Sequence, residues 1–381
     1  MIALLAFASF GSAASMRVAD AQLPALADAF AISLAGAAQV ITVFSIAYGL
    51  LQLAYGPLGD RQGKWRVITW ATFACALTAL ACALAPDYNG LLIARLLAGA
   101  SCAAIIPLSM AWIGDAVPYE RRQGVLARFL LGQILGMAIG QWIGGLAADF
   151  GQWRAPFVAL ALCFAMAGIA MWRAQADALV AAPPQARSGH LLRESLYVLR
   201  ERWARVILAV VFVEGVLLFG LIAFLATHLH LKHGLSLGRA GAIVTLYAAG
   251  GVIFALFARH FVQRLGESGL AQAGGALLLC GLLLAALSPV WWTAPLACLA
   301  TGLGFYMFHN TLQTNATQMA PEARGAAVSL FACFFFVGQT VGVALTAVLV
   351  QHLGSTPVLS VGAIAVAALA AVFAWLRARK K

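Results

Sequence analysis

Apolar residues run along this chain in long, nearly unbroken stretches, and polar residues collect in short clusters between them. Twelve such stretches fall near 2–26, 34–56, 67–85, 89–113, 124–147, 154–172, 206–229, 239–258, 269–288, 292–314, 326–351 and 357–376. Each is long enough to cross a lipid bilayer as a helix, which takes about 20 mostly apolar residues. The runs are continuous rather than alternating, so the pattern predicts helices and disfavours a barrel of strands. One connection, from about 173 to 205, is both long and polar, holds Pro183, Pro184 and Ser188, and divides six spans from six. The expectation is an all-helical integral membrane protein with an N-terminal unit over 1–172, a linker over 173–205 and a C-terminal unit over 206–381. Residues 191–199 within the linker have the spacing of a short amphipathic helix lying on the inner leaflet.

Composition agrees with a membrane protein: 63% of the 381 residues are hydrophobic and 10% charged, with a mean hydropathy of +0.92. A net charge of +11 would suit a nucleic-acid partner. Its placement says otherwise. All but five of the 24 Lys and Arg fall in the even-numbered connections, the central linker and the C-terminal tail. That bias places both chain ends in the cytoplasm; the expected location is a bacterial-type inner (plasma) membrane, crossed many times. On composition and charge the expected partner is the bilayer, with no nucleic acid. Residues 1–15 superficially suit a secretion signal, but they lack its basic start, and cleavage would leave an odd number of spans. The stretch is therefore taken as the first span. The cysteines all sit inside spans, as packing residues. His228, His230 and His233 are spaced too loosely, without a carboxylate, for a convincing metal site. No cofactor is expected. No phosphate loop of the G-x-x-x-x-G-K-[ST] type is present, nor H-E-x-x-H or a nucleophile elbow. An intramembrane enzyme or receptor is the remote alternative.

Ionisable residues deep inside the spans are few: Arg17 and Asp20 in span 1, Arg95 in span 4, Glu214 in span 7 and His309 in span 10. They recur every third span. A charged side chain at the centre of a spanning helix costs about 2.5–3.5 kcal/mol on insertion scales, so it persists where it is paired or wet. Asp20 and Glu214 are candidate proton carriers. Arg17 and Asp20, three apart on one face, also suit a structural ion pair, and Arg95 suits packing against backbone carbonyls. His309, Asn310 and Gln313 make span 10 the most polar of its half, through solute contact or through hydrogen bonds between helices.

Between spans 2 and 3 lies Gly56-Pro57-Leu58-Gly59-Asp60-Arg61-Gln62-Gly63-Lys64. This charged hairpin resembles the G-x-L-a-D-r-x-G-r/k-r/k signature of the major facilitator superfamily. Other motifs agree. Arg95 to Gly99 is similar to its R-x-x-x-G, and Asp20 to Pro24 to the D-x-x-x-P of its twelve-span drug:proton antiporters. Gly132, Gly136, Gly140, Gly144 and Gly145 resemble the ladder of the antiporter motif, although Gln141 stands where that motif has proline. Weak matches also link the halves. Asp60-Arg61-Gln62-Gly63 pairs with Gln263-Arg264-Leu265-Gly266, and Gly132-Gln133 and Gly136 with Gly338-Gln339 and Gly342. The resemblance implies two pseudo-symmetric six-helix bundles around a central cavity, with the first helix of each three-helix repeat facing that cavity. It implies alternating access, with proton-coupled export of a small, partly apolar solute; Gln141 keeps a proton-coupled importer or metabolite facilitator open. In that frame Asp20 and Glu214 exchange protons and Arg95 tunes Asp20, while Arg17, Gln141, His309, Asn310 and Gln313 help shape the solute site. Gly56, Asp60, Arg61, Gly63 and Lys64 would gate the inner face with Glu120, Arg122, Glu322 and Arg324.

Overall fold

The apolar stretches fold as helices that run beyond their lipid-sized cores. A computed structural model describes residues 1–174 and 191–379. Its spanning helices are α1 (Ile2–Phe30), α2 (Leu34–Gln62), α3 (Lys64–Ala83), α4 (Tyr88–Ala116), α5 (Tyr119–Asp149), α6 (Ala155–Arg173) and α7 (Arg202–His233). The run Leu237–Leu287 bends at Gly266 into α8 (237–265) and α9 (267–287). Helices α10 (Ala294–Gln318), α11 (Arg324–Leu353) and α12 (Ser355–Arg379) complete the set. Among the described residues, ten segments are apolar and long enough to span. One of them holds both α8 and α9, and α10 falls outside the ten because its polar side chains dilute it. The twelve expected spans are thus all present, in two six-helix bundles. Most of the linker expected over 173–205 lies outside the described residues. Within it, Leu191–Arg200 is helical, with Val198 buried and Leu196 exposed.

Helix ends follow local chemistry. Ser33, Asp87 and Ser236 cap α2, α4 and α8 by accepting from the N–H of Gly36, Gly90 and Arg239, which satisfies donors that a helix leaves orphaned. Gly63 (φ 90°) and Gly266 (φ 63°) turn the chain at the matching inner corners of the two halves, where a side chain would be strained. Large side chains such as Leu77, Leu256 and Val361 stay more than half exposed, as faces turned to lipid do.

The repeat is carried by glycines at helix crossings. A Cβ on Gly132, Gly136, Gly140 or Gly144 would sit 2.0–2.8 Å from the carbonyl oxygens of Ala6, Phe10, Ala14 and Val18, so α5 lies directly on α1. Gly338 and Gly342 bear in the same way on the carbonyls of Phe212 and Val216, so α11 lies on α7. Both the glycines and their targets are related by an offset of 206 positions, copied from one half to the other.

Both chain ends lie on one face, the inner face. At the opposite, outer face the halves meet where Asp149 of α5 reaches the start of α8. Midway, Gln339 Nε2 of α11 donates to Ser45 Oγ of α2 at 3.1 Å, and the rings of Tyr48 and Phe336 lie 4.6 Å apart. Toward the inner face, Gly56 of α2 and Gly325 of α11 have open space where a side chain would project. The halves are therefore joined at the outer face and midway, by Asp149, Gln339 and the Tyr48–Phe336 contact.

Candidate functional site

Pro24 explains how α1 presents its acid. Proline has no N–H to give the carbonyl four residues earlier, which is that of Asp20. The α-helix stops at Arg17, a 3₁₀ turn spans Asp20–Gln22, and helix resumes at Leu23. Asp20 is fully buried on this turn, with an Arg17 Nη1 to Asp20 Oδ2 distance of 2.9 Å. The contact is an ion pair without hydrogen-bond alignment, for Arg17 Nη1 and both Asp20 oxygens lack hydrogen-bond partners. The Arg17 guanidinium also lies over the ring of Phe219 of α7, 5.2 Å from its centroid.

Arg95 meets α1 at a different point. Gly99, one turn along α4, has the Phe44 carbonyl 2.2 Å from where a Cβ would stand, so α4 and α2 touch. Arg95 is drawn in with it: Nε donates to the Val40 carbonyl (3.2 Å), Nη1 to the Ser15 carbonyl (2.9 Å), and the guanidinium lies 4.2 Å above the Phe44 ring. Ser15 belongs to the last turn before the break in α1, where carbonyls lose their intrahelical donors. The R-x-x-x-G spacing thus ties α4 to the backbone of α1 and α2. The cation in contact with Asp20 is Arg17.

The second acid also sits at a helix irregularity. Glu214 ends the regular part of α7, and a π-helical turn over Gly215–Phe219 follows, a distortion common at functional sites. Glu214 is fully buried, and its Oε2 lies 2.9 Å from His309 Nδ1 of α10. Its Oε1 has no partner. Phe305 stacks on the His309 ring at 4.9 Å, and Phe331 and Phe335 close round it at 5.5 and 4.8 Å. Sequence reasoning named Glu214 and His309 separately. The fold makes them one unit.

Aromatic side chains link the two centres. Phe219 meets Phe305 and Phe335 edge-on, and Phe305 packs on Tyr247 and Tyr306. The buried Tyr247 hydroxyl has no hydrogen-bond partner and lies within electrostatic reach of both Arg17 and Glu214. None of these rings was singled out from sequence, because aromatic residues on spanning helices ordinarily pack or face lipid. Gln141 is buried with its amide nitrogen unpartnered, and its carbonyl faces Gly241 of α8. Asn310 is half-buried, and Gln313 is exposed one turn beyond His309.

At the inner face Lys64 forms ion pairs with Asp60 (3.4 Å) and with Asp115 at the end of α4. Arg61 is exposed, as is Glu322. The side chains of Glu120, Arg122 and Arg324 lie outside the described residues. The corresponding corner of the C-terminal half holds Glu267, which accepts from Asn315 and pairs with Arg377 at 2.9 and 2.6 Å. Asp115 and Glu267 were not picked out from sequence; both sit at helix ends, where charge is unremarkable. Among the described residues no group of three His, Cys, Asp or Glu is placed to hold a metal. His228 is engaged by Ser355 and the Ala285 carbonyl, and His230 by the Leu235 carbonyl. The Cys75 and Cys102 sulfurs touch at 3.4 Å.

Comparison with known proteins gives this geometry a family. Solved structures share the fold at low identity. A nucleoside transporter, NupG, superposes with a TM-score of 0.76 at 15% identity over 100% of this chain and 98% of its own. A bacterial homologue of the human lysosomal transporter Spinster, crystallised inward-facing, gives 0.75 at 16% over 99% and 96%. Among curated proteins, the uncharacterized MFS-type transporter YceJ of Bacillus subtilis is 27% identical over 348 residues, 87% of this chain and 85% of its own. The multidrug export protein EmrB of Escherichia coli is 28% identical over 153 residues, 40% of this chain and 30% of its own length. The sequence profile of the Major Facilitator Superfamily matches residues 5–325 and 231–381. With its twelve helices and repeated halves, the chain belongs to that superfamily and is a membrane transporter of small solutes, not an enzyme.

Proposed function

We propose that this transporter couples proton entry to export of a small, partly apolar solute. The observation that carries the reading is the pair of buried carboxylates, Asp20 and Glu214, each beside a basic side chain and each with oxygen atoms left unpartnered. An isolated carboxylate out of water is costly, and a proton removes that cost. Protonating Asp20 weakens its hold on Arg17, and protonating Glu214 weakens its hold on His309. Each event frees a basic group and a polar site among aromatic rings. That is a site with two states, which a transporter needs for exchange.

The two acids stand at different depths. By the offset that relates the halves, Glu214 corresponds to Ala8 rather than to Asp20, about 12 positions or roughly 18 Å of helical rise away. A proton and a solute can therefore occupy different levels of one path. In this reading Arg95 holds the broken turn of α1 on which Asp20 sits. Arg17, Gln141, His309, Asn310 and Gln313 contribute to the solute site. Gly56, Asp60, Arg61, Gly63 and Lys64 form the inner gate with Glu120, Arg122, Glu322 and Arg324, made and broken as the halves rock. The membrane is the inner (plasma) membrane, both ends are cytoplasmic, and the monomer suffices.

One proton crossing about 100 mV releases about 2.3 kcal/mol, and one pH unit adds about 1.4 kcal/mol. Together they support a gradient of roughly 500-fold for a neutral solute. Direction is tested in everted and right-side-out vesicles with a pH-sensitive dye. Export predicts that solute added to acid-loaded everted vesicles discharges their proton gradient. Accumulation confined to right-side-out vesicles under an inward proton gradient establishes import instead. That second reading draws on Gln141, which replaces the proline of the antiporter motif.

A further inference from the structure

We infer that Asp149 is the outer latch of the transport cycle, fastening the N-terminal half to the first turn of α8 whenever the inner face is open. Its two carboxylate oxygens accept from the backbone N–H of Leu237 (2.6 Å) and Gly238 (2.8 Å), across the boundary between the halves. A helix N-terminus offers unpaired N–H groups and a partial positive charge, and α8 already has its own cap in Ser236. Asp149 thus adds a second anchor from the opposite bundle rather than completing a cap that was missing.

The surrounding residues are shaped for this approach. A Cβ on Gly145 would sit 2.3 Å from the Leu237 carbonyl, one on Gly238 would sit 2.7 Å from Asp149 Oδ2, and one on Gly241 would sit 3.0 Å from the Gln141 carbonyl. Three glycines on two helices of different halves remove the bulk that would hold α5 and α8 apart. The contact lies at the end that must part when the cavity opens outward, so it has to break once per cycle. Hydrogen bonds can be exchanged for water there, since Asp149 is partly exposed. Neither the direction of transport nor proton coupling enters this inference.

The test measures the distance between nitroxide labels at Gln152→Cys and Arg239→Cys, both exposed outer positions, in full-length protein with Cys280 replaced by serine. A side chain that accepts from the first N–H groups of a helix is worth about 0.5–2 kcal/mol, so Asp149→Ala should raise the outward-open population about twofold to thirtyfold. Gly238→Ala, which displaces the carboxylate sterically, should shift it the same way. Transport by either variant should show lower turnover with little change in apparent affinity. Asp87→Ala is the control, because Asp87 caps α4 within its own half and its loss should leave the distances unchanged. An unchanged distribution in folded Asp149→Ala and Gly238→Ala would overturn the latch, as would an equal shift in Asp87→Ala.

Discussion

Glu214 and His309 illustrate what a single contact adds to a list of residues. Each was identifiable from sequence as a polar group too expensive to bury without reason. Their contact joins positions 95 residues apart, and no local period encodes that. Glu214→Gln should abolish concentrative transport yet preserve solute exchange without a gradient, measured as counterflow in proteoliposomes. Full accumulation in that variant would remove Glu214 from the coupling. His309→Ala leaves a buried carboxylate facing aromatic rings and should cost about 3–5 kcal/mol of stability, read as a lower melting temperature that Glu214→Gln partly restores. Arg95 separates packing from coupling in a similar way. Arg95→Lys keeps the charge but loses the planar fork that spans two carbonyls, and should cost about 1–3 kcal/mol with the pH profile of transport unchanged. A shifted profile at parental stability would instead make Arg95 a tuner of Asp20.

At the scale of elements, the hydropathy pattern located twelve helices but placed their ends too close to the lipid core. Span 2 was expected over 34–56, whereas α2 reaches Gln62. Span 5 was expected over 124–147, whereas α5 is Tyr119–Asp149. Polar residues beyond the core still favour helix, and hydropathy has no view of that. The interruptions of α1 and α7 were equally hidden: Pro24 marks the first, while the π turn after Glu214, where Gly215 lies against the Phe335 carbonyl of α11, carries no proline to announce it. The glycine crossings make an opposed pair of predictions. Gly136→Ala drives a methyl group toward the Phe10 carbonyl, 2.3 Å away, and should destabilise by about 1–3 kcal/mol. Gly56→Ala meets open space in this state and should be neutral or stabilising by up to about 1 kcal/mol, while slowing turnover if the inner ends close on it. Thermal denaturation and initial transport rates on the same two variants decide both points.

For the whole molecule, the sequence matches between Gly132 and Gly338 already gave the internal symmetry, since glycines at helix crossings must repeat with the bundle that needs them. The state of the molecule was not readable, because Ser45, Gln339 and Asp149 become connectors only once the halves are set against each other. Cysteines introduced at Gly56 and Gly325 should react with a membrane-impermeant maleimide from the inner side, and lose at least part of that reactivity when the outer face is held open. Equal reactivity in both states would show that the inner ends do not close. The diluted character of α10 bears on how the protein is made. His309, Asn310, Gln313, Asn315 and neighbouring threonines leave it short of the apolarity of the other spans. Such a segment partitions poorly into lipid when it leaves the translocation channel alone. It should depend on α7 being in place to receive His309 against Glu214. Chains truncated after α10 and carrying a glycosylation reporter should therefore show mixed orientation when Glu214 is replaced by leucine, which would make the Glu214–His309 contact an assembly checkpoint during synthesis.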